Sequence, residues 1–387
     1  MQALEAKHLH IVSFNVPYPP DYGGVIDVFY KIKALHELGI KVHLHCFQYG
    51  REVSPELDSI CEKVYYYPRK SFYRVFYSPK PFIVSSRQSD ALLNNLLDND
   101  YPIFFEGLHT CFYLQNKELD DRVKCVRMHN VEWDYYRSLG KADQNYFRKF
   151  YFYTESMRLK SFESILEKAS MTFAISAVDV HYFMEKYKHV YHIPPFHENE
   201  AVTSLTGIGN YVLYHGNLSV TENNQAAMWL VNKVFDDIED IQLIIAGSHP
   251  NSMLLSAIKK RKNIILKTNP THQQMNVLIQ NAQINLLPTF QNTGLKLKLV
   301  NSLYKGRHCI VNIPMIEGSG LESLCEVKNS VEEIKQAVKE FMKIEFRQGD
   351  IKKREEVLYN QFSNKIQAER MSDLIFNIEE REINHTD

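Results

Sequence analysis

Short apolar runs of strand length alternate with longer stretches of helical period along this chain, in two successive series. The first series holds "LHIVSF" (9–14), "KVHLHCF" (41–47), "KVYYY" (63–67), "PIFFEG" (102–107), "KCVRMH" (124–129), "MTFAIS" (171–176) and "HVYHI" (189–193). Helical patterns over 24–38, 88–98, a long one near 143–168, and 178–187 lie between them. The second series holds "YVLYHG" (211–216), "IQLIIAG" (241–247), "NIILK" (263–267), "INLLP" (284–288) and "HCIVN" (308–312). Helical patterns near 222–235, 251–260, 271–280, 294–305 and 330–343 separate these. Strands apolar on both faces fit a sheet covered by helices on both sides, and each intervening helix supplies a parallel crossover.

Two such series predict an α/β chain of two Rossmann-like, parallel-sheet domains, as 387 residues allow. The first is expected over 1–196 and the second over 205–360. Between them "HIPPFHENEAVTSLTGIG" (192–209) breaks the pattern with two prolines and two glycines. A charged helical stretch, 351–383, follows the last strand. Its final part, 361–387, is expected to cross back onto the first domain.

The charge balance, 45 basic against 46 acidic residues, shows no nucleic-acid footprint. Six cysteines never form C-x-x-C, so buried free thiols in a reducing compartment fit better than a zinc site. No apolar run nears the roughly 18 residues of a membrane span, and "MQALEAKHLHIVSF" lacks a secretory apolar core. The expectation is a cytoplasmic protein.

Parallel α/β sheets bind ligands beyond the carboxyl ends of their strands, so the loops there carry the candidates. After the first strand, Gly23 and Gly24 open a helix whose amides can approach an anion or a sugar hydroxyl. No G-x-G-x-x-G fingerprint occurs, which removes the main support for a nicotinamide or flavin. His129 ends another strand, with Asn130 and Glu132 close behind, and an imidazole there suits proton transfer or hydroxyl recognition. Gly216 and Asn217 follow the first strand of the second series. In "LPTFQNTGLKLKLVNSLYKGRHCIV" (286–310), Thr293 is read as an N-cap and Gly294 as a first-turn glycine. Gly294, Lys298 and Asn301 then share a helical face, and the helix start with Lys298, and Lys296 within reach, forms a phosphate site.

With these landmarks the chain resembles the GT-B glycosyltransferases, in particular family four. The resemblance runs through "YPPDYGG", "ALHELGIKVHL", "MHNVE", "FAIS", "HIPPF", "HGNL", "LIIAGSHP" and "TGLKLKLVNSLYKGRHCIV" in order. It implies two domains facing across a cleft and transfer of a sugar from a nucleotide-diphosphate sugar to a saccharide or lipid-linked saccharide. The setting implied is cell-surface polysaccharide or glycoconjugate synthesis. The anomeric configuration would be retained, with no metal and no cofactor beyond the donor. It places Lys296, Lys298, Gly216 and Asn217 near the diphosphate, His129 near the transferred sugar, and Gly23 and Gly24 over donor and acceptor. The family's E-x7-E pair would fall at Thr293 and Asn301, neither acidic, and Asn217 stands where an arginine is usual.

Those departures keep a non-catalytic nucleotide-sugar-binding subunit as an alternative. Another is a nucleotide-sugar epimerase or hydrolase using Glu106, Glu132 or Glu317. Two basic-aromatic stretches, 69–87 and 146–160, fit an anionic membrane face on the inner side presenting a lipid-linked acceptor. The plainer reading of those aromatics is packing between helices.

Overall fold

The computed structural model describes residues 6–71, 78–143, 145–291 and 296–377. The chain forms two compact units, Met1–Glu198 with Phe362–Asp387, and Asn199–Gln361.

Unit 1 contains β1 (His8–Ser13), β2 (Lys41–Gln48), β3 (Lys63–Pro68), β4 (Ile103–Glu106), β5 (Lys124–Met128), β6 (Met171–Ala174) and β7 (Val190–His192). They form one sheet in the order β3-β2-β1-β4-β5-β6-β7, every pair parallel. Unit 2 contains β8 (Tyr211–His215), β9 (Gln242–Gly247), β10 (Ile264–Thr268), β11 (Ile284–Leu287), β12 (His308–Val311) and β13 (Glu326–Val327). Their order is β10-β9-β8-β11-β12-β13, again all parallel. Renumbered within its unit, each sheet runs 3-2-1-4-5-6, with a seventh strand added beyond the sixth in unit 1, the doubly wound order whose direction reverses between its first and fourth strands. The reversal falls at β1/β4 in unit 1 and at β8/β11 in unit 2.

The apolar runs become central strands because both of their faces are covered. Leu9, Ile11, Val42, Leu44, Phe104 and Phe173 are fully buried in unit 1, as are Val212, Leu243, Ile245, Ile284 and Ile310 or nearly so in unit 2. At roughly 25 cal/mol per Å² of apolar surface this burial is the main stabilising term of each unit.

The helices depart from expectation in three places. The pattern near 143–168 resolves into a helix, Tyr146–Phe162, and a 3-10 turn, Glu163–Lys168, with Asn145 capping the amides of Phe147 and Arg148. A separate helix, Glu132–Ala142, precedes it. The stretch expected over 351–383 is two helices, Gln348–Phe362 and Asn364–Phe376, the second capped by the Ser363 side chain. Met371, Leu374 and Ile375 of that second helix bury into the core of unit 1 beside the helix Gly23–Glu37. Asn364 fixes its start by bonding both the amide (3.2 Å) and the carbonyl (2.6 Å) of His197.

Candidate functional site

Each unit gathers polar side chains at the carboxyl edge of its sheet, where the strand order reverses. In unit 2 two glycines shape that edge. A Cβ on Gly247, at the end of β9, would lie 1.9 Å from the carbonyl oxygen of Gly216, just past β8. Only glycine lets the two strand ends approach so closely. The exposed Asn217 accepts through Oδ1 from the Ser219 amide (3.0 Å), the Ser219 hydroxyl (2.7 Å) and the Ser248 hydroxyl (3.1 Å). These bonds order the loop through that side-chain oxygen.

Lys298 approaches the same edge from the helix Leu297–Lys305. Leu299, Val300 and Leu303 bury the sheet side of that helix, which fixes where Lys298 emerges. Its Nζ donates to Asn223 Oδ1 (3.0 Å) and lies 5.3 Å from the centroid of the Tyr214 ring. The Tyr214 hydroxyl donates to the Asn223 carbonyl (3.0 Å), and Asn223 Nδ2 to the Asn217 carbonyl (3.0 Å). Burial pushes the Lys298 ammonium down to about 8, with Glu222 opposing the shift and Lys296 adding to it. Glu222 is itself held by the Thr289 hydroxyl after β11, and Asn312 bonds both the amide (3.0 Å) and the carbonyl (2.7 Å) of Thr289. The result is a half-buried cation whose direct hydrogen-bond acceptor is a neutral amide oxygen.

The helix start differs from the expectation of an N-cap at Thr293. Backbone at Lys296 is still extended (φ −91°, ψ 107°), so helical bonding starts at Leu297 and Lys296 is the N-cap. Thr293 and Gly294 lie outside the described residues. Asn301 accepts from Asn199 Nδ2 (2.7 Å), which occupies its side-chain oxygen. Glu222, Asn223 and Thr289 escaped the sequence reading. The acid and amide sit in the plain polar run "TENNQ", and only folding brings Thr289 to them.

In unit 1 the edge carries a buried network of charges. Asp27 takes a two-pronged bond from Arg127 (2.9 and 3.1 Å), a bond from the Phe196 amide (2.7 Å), and an ion pair from Lys31 (3.4 Å). Lys31 also meets Glu106 at 2.5 Å. Arg127 donates further to the carbonyls of Ile193 (2.6 Å) and Pro194 (3.0 Å). Burial works to raise the Asp27 carboxyl, but Arg127 and Lys31 overcome it and hold the group ionised. His129, past the end of β5, rests on this network. Its Nε2 is 3.1 Å from Glu106 and its Nδ1 3.7 Å from Asp27, with 12 % of the side chain exposed. Asp27, Glu106 and His129 lie close enough to share a cation. Lys31 and Arg127 already balance both carboxylates, so the donor set does not call for one.

Gly24 in the first helical turn supports the same histidine. A Cβ there would meet the Phe14 ring at 2.7 Å, and Phe14 stands edge-on to His129, centroids 5.6 Å apart. Gly23 opens the helix and Tyr22 caps it without a side-chain bond. Glu132 begins the next helix fully buried, and burial with Asp179 pushes its carboxyl up to about 8 against Arg87. Asn130, next in sequence to His129, is half-buried. Glu317 belongs to unit 2, exposed after the turn Ile313–Ile316.

The chain is 27% identical over 337 residues to an uncharacterized 44.6 kDa protein in the cps region of Klebsiella pneumoniae, covering 80% of this chain and 84% of that one. No family model matches. Its backbone is similar to that of Anabaena HepE crystallised with UDP and glucose: TM-score 0.66, 8% identity, 96% of this chain and 100% of that chain. It is also similar to WaaG, a glycosyltransferase involved in lipopolysaccharide biosynthesis, with TM-score 0.64 and 11% identity over 95% and 99% of the two chains. The fold is GT-B. In GT-B terms the lysine edge belongs to the second Rossmann-like unit and the histidine edge to the first.

Proposed function

We propose that this chain is a glycosyltransferase moving a sugar from a nucleotide-diphosphate sugar to a saccharide or lipid-linked saccharide acceptor. One observation carries the reading: Lys298 sits half-buried at the β8/β11 reversal, its charge met directly only by an amide oxygen among described partners. HepE, of the same fold, holds UDP and glucose in its crystals, which supports a nucleotide in this chain as well.

In this reading the glycosidic bond to the donor phosphate breaks through an oxocarbenium-like state while negative charge grows on the departing diphosphate. A preorganised cation stabilises that charge more in the transition state than in the ground state. Lys298 supplies it, Lys296 adds to the field, and the amides opening the Leu297–Lys305 helix contribute their dipole. Asn301 and Asn217 serve as ordering residues around the pocket. His129, oriented by Glu106 and Asp27, faces the transferred sugar in unit 1. Retention and independence of metal belong to the proposal. The epimerase alternative loses ground because Glu106 is fully buried and ion-paired with Lys31.

The proposal extends to contact with a membrane surface. Tyr146, Phe150, Tyr153 and Met157 fall on one face of the helix Tyr146–Phe162, and Phe147 is 89 % exposed beside them. Arg148 and Lys149 flank this stripe, a combination suited to an anionic lipid surface. Of the stretch 69–87, residues 72–77 lie outside the described residues. Among the described residues no helix is long and apolar enough to cross a membrane. Co-sedimentation with anionic liposomes, lost at high salt and in Phe147→Ser/Phe150→Ser, is the expected result; equal sedimentation with neutral liposomes would contradict it.

The transfer reading is tested by incubating purified protein with a panel of nucleotide sugars and lipid-linked acceptors. Acceptor-dependent release of nucleoside diphosphate supports it. Nucleotide binding without release in any pairing would favour a binding subunit instead.

A further inference from the structure

Five successive strand ends of unit 1 converge on a second group of side chains, beside the His129 network. Arg87, only 5 % exposed, donates Nε to the Phe14 carbonyl after β1 (3.0 Å) and Nη1 to the Ile83 carbonyl (2.6 Å). Arg69, after β3, donates to the Ser86 hydroxyl (2.9 Å) and lies over the rings of Tyr49, after β2 (4.4 Å), and Phe82 (5.1 Å). His109, after β4, packs on Phe14 at 5.6 Å. Its Nδ1 is buried without a hydrogen-bond partner, 4.0 Å from Glu132 Oε1 after β5.

Neither arginine forms an ion pair among the described residues. Two carbonyls take Nε and Nη1 of Arg87 and a hydroxyl takes Nε of Arg69, none of them a counter-charge, which is costly at a buried position. The nearby acids do not supply the missing charge. Glu132 is buried, with its carboxyl pushed up to about 8, so it is largely neutral at pH 7. Glu155 accepts the Ile83 amide (2.9 Å), and burial raises its carboxyl as well. His109 is held neutral first by burial, then by Arg87 and His129. The edge is therefore rich in donors and positive charge and short of negative charge. Four phenols, Tyr22, Tyr49, Tyr136 and Tyr151, lie within electrostatic reach of these groups and add polar contacts without a counter-charge.

We propose that Arg69, Arg87 and His109 hold an anionic group of the sugar acceptor, a carboxylate or a phosphate, at the carboxyl edge of unit 1. The proposal rests on the glycosyl-transfer reading and names its acceptor class. Two arginines present the forked donors that planar carboxylates and phosphates accept, and an anion gives His109 Nδ1 the partner it lacks.

Calorimetry on the full chain tests this with three probes, inorganic phosphate, glucuronate and glucose, each in the Lys298→Ala background so that unit 2 contributes little. Phosphate or glucuronate should bind and glucose should not, and whichever anion binds tells phosphate from carboxylate recognition. Arg69→Gln, at a half-buried position, should weaken that anion about tenfold. Arg87→Met should do the same or more. UDP affinity, measured with Lys298 intact, should stay unchanged in both. Glucose binding as well as glucuronate, or Arg69→Gln binding both anions like its parent, overturns the subsite. Absence of UDP binding to the unaltered protein strikes the transfer reading instead, so the two failures are told apart.

Discussion

The two sheets share one strand order, yet their carboxyl edges treat charge in opposite ways. Around His129, two acids and two bases lie fully buried and cancel: Asp27 and Glu106 against Lys31 and Arg127. Around Lys298, a half-buried ammonium meets an amide oxygen and a phenol ring, with Glu222 held back by Thr289. The first arrangement is closed and orients a histidine. The second leaves a cation with only neutral direct partners among the described residues. Topology chooses the place, and side chains decide whether it is a framework or a binding group.

The largest effect should come from opening the closed edge. Asp27→Ala leaves Arg127 and Lys31 buried with one carboxylate between them and should cost roughly 3–5 kcal/mol of stability in urea unfolding. A loss under about 1 kcal/mol would mean the network is not what holds that edge. Next, Gly247→Ala drives a methyl into the Gly216 carbonyl and should cost about 1–3 kcal/mol, with weaker nucleotide binding. Unchanged binding would detach the glycine contact from the site.

The edges should also differ in pH response. Diphosphate affinity should hold below about pH 8 and fall up to tenfold per unit above it, as Lys298, lowered by burial, loses its proton. Flat affinity to pH 10 would remove Lys298 from the contact. Unit 1 should instead weaken on acidification. His10 bonds His45 (2.8 Å) and Asn99 (2.7 Å), and burial pulls it down to about 4. An unfolded histidine takes its proton near pH 6.5, so the stability tied to neutral His10 is present above that pH and lost between about 6.5 and 4. Equal stability at pH 7 and pH 4.5 would contradict this. The smallest effect is Asn223→Ala, which frees Lys298 and should change diphosphate affinity by about 1 kcal/mol or less, read by calorimetry.

Much of the fold was legible because the strands are apolar on both faces and carry little ambiguity of period. Twelve of them start or end within a residue or two of the apolar runs, while β13 is only Glu326–Val327 and leaves no period to read. The helix Glu132–Ala142 escapes the sequence reading, because the residues after β5 read as a strand-end loop carrying site candidates. Of the candidate site, the positions that directly follow strands, Gly216 and His129, could be placed at strand ends from sequence. The site was not legible where tertiary approach decides, as with Thr289 on Glu222, Asn223 on Lys298, and Lys31 on Glu106. Nor can a sequence show that Ser219, Ser248 and Asn199 donate to the side-chain oxygens of Asn217 and Asn301.

The most direct measurement is the dissociation constant of UDP for the unaltered chain and for Lys298→Ala, alongside their unfolding midpoints. The account predicts a loss of roughly tenfold to a hundredfold with the midpoint held, since a charge-assisted contact is removed from a half-buried position. An unchanged constant in a folded variant would contradict it.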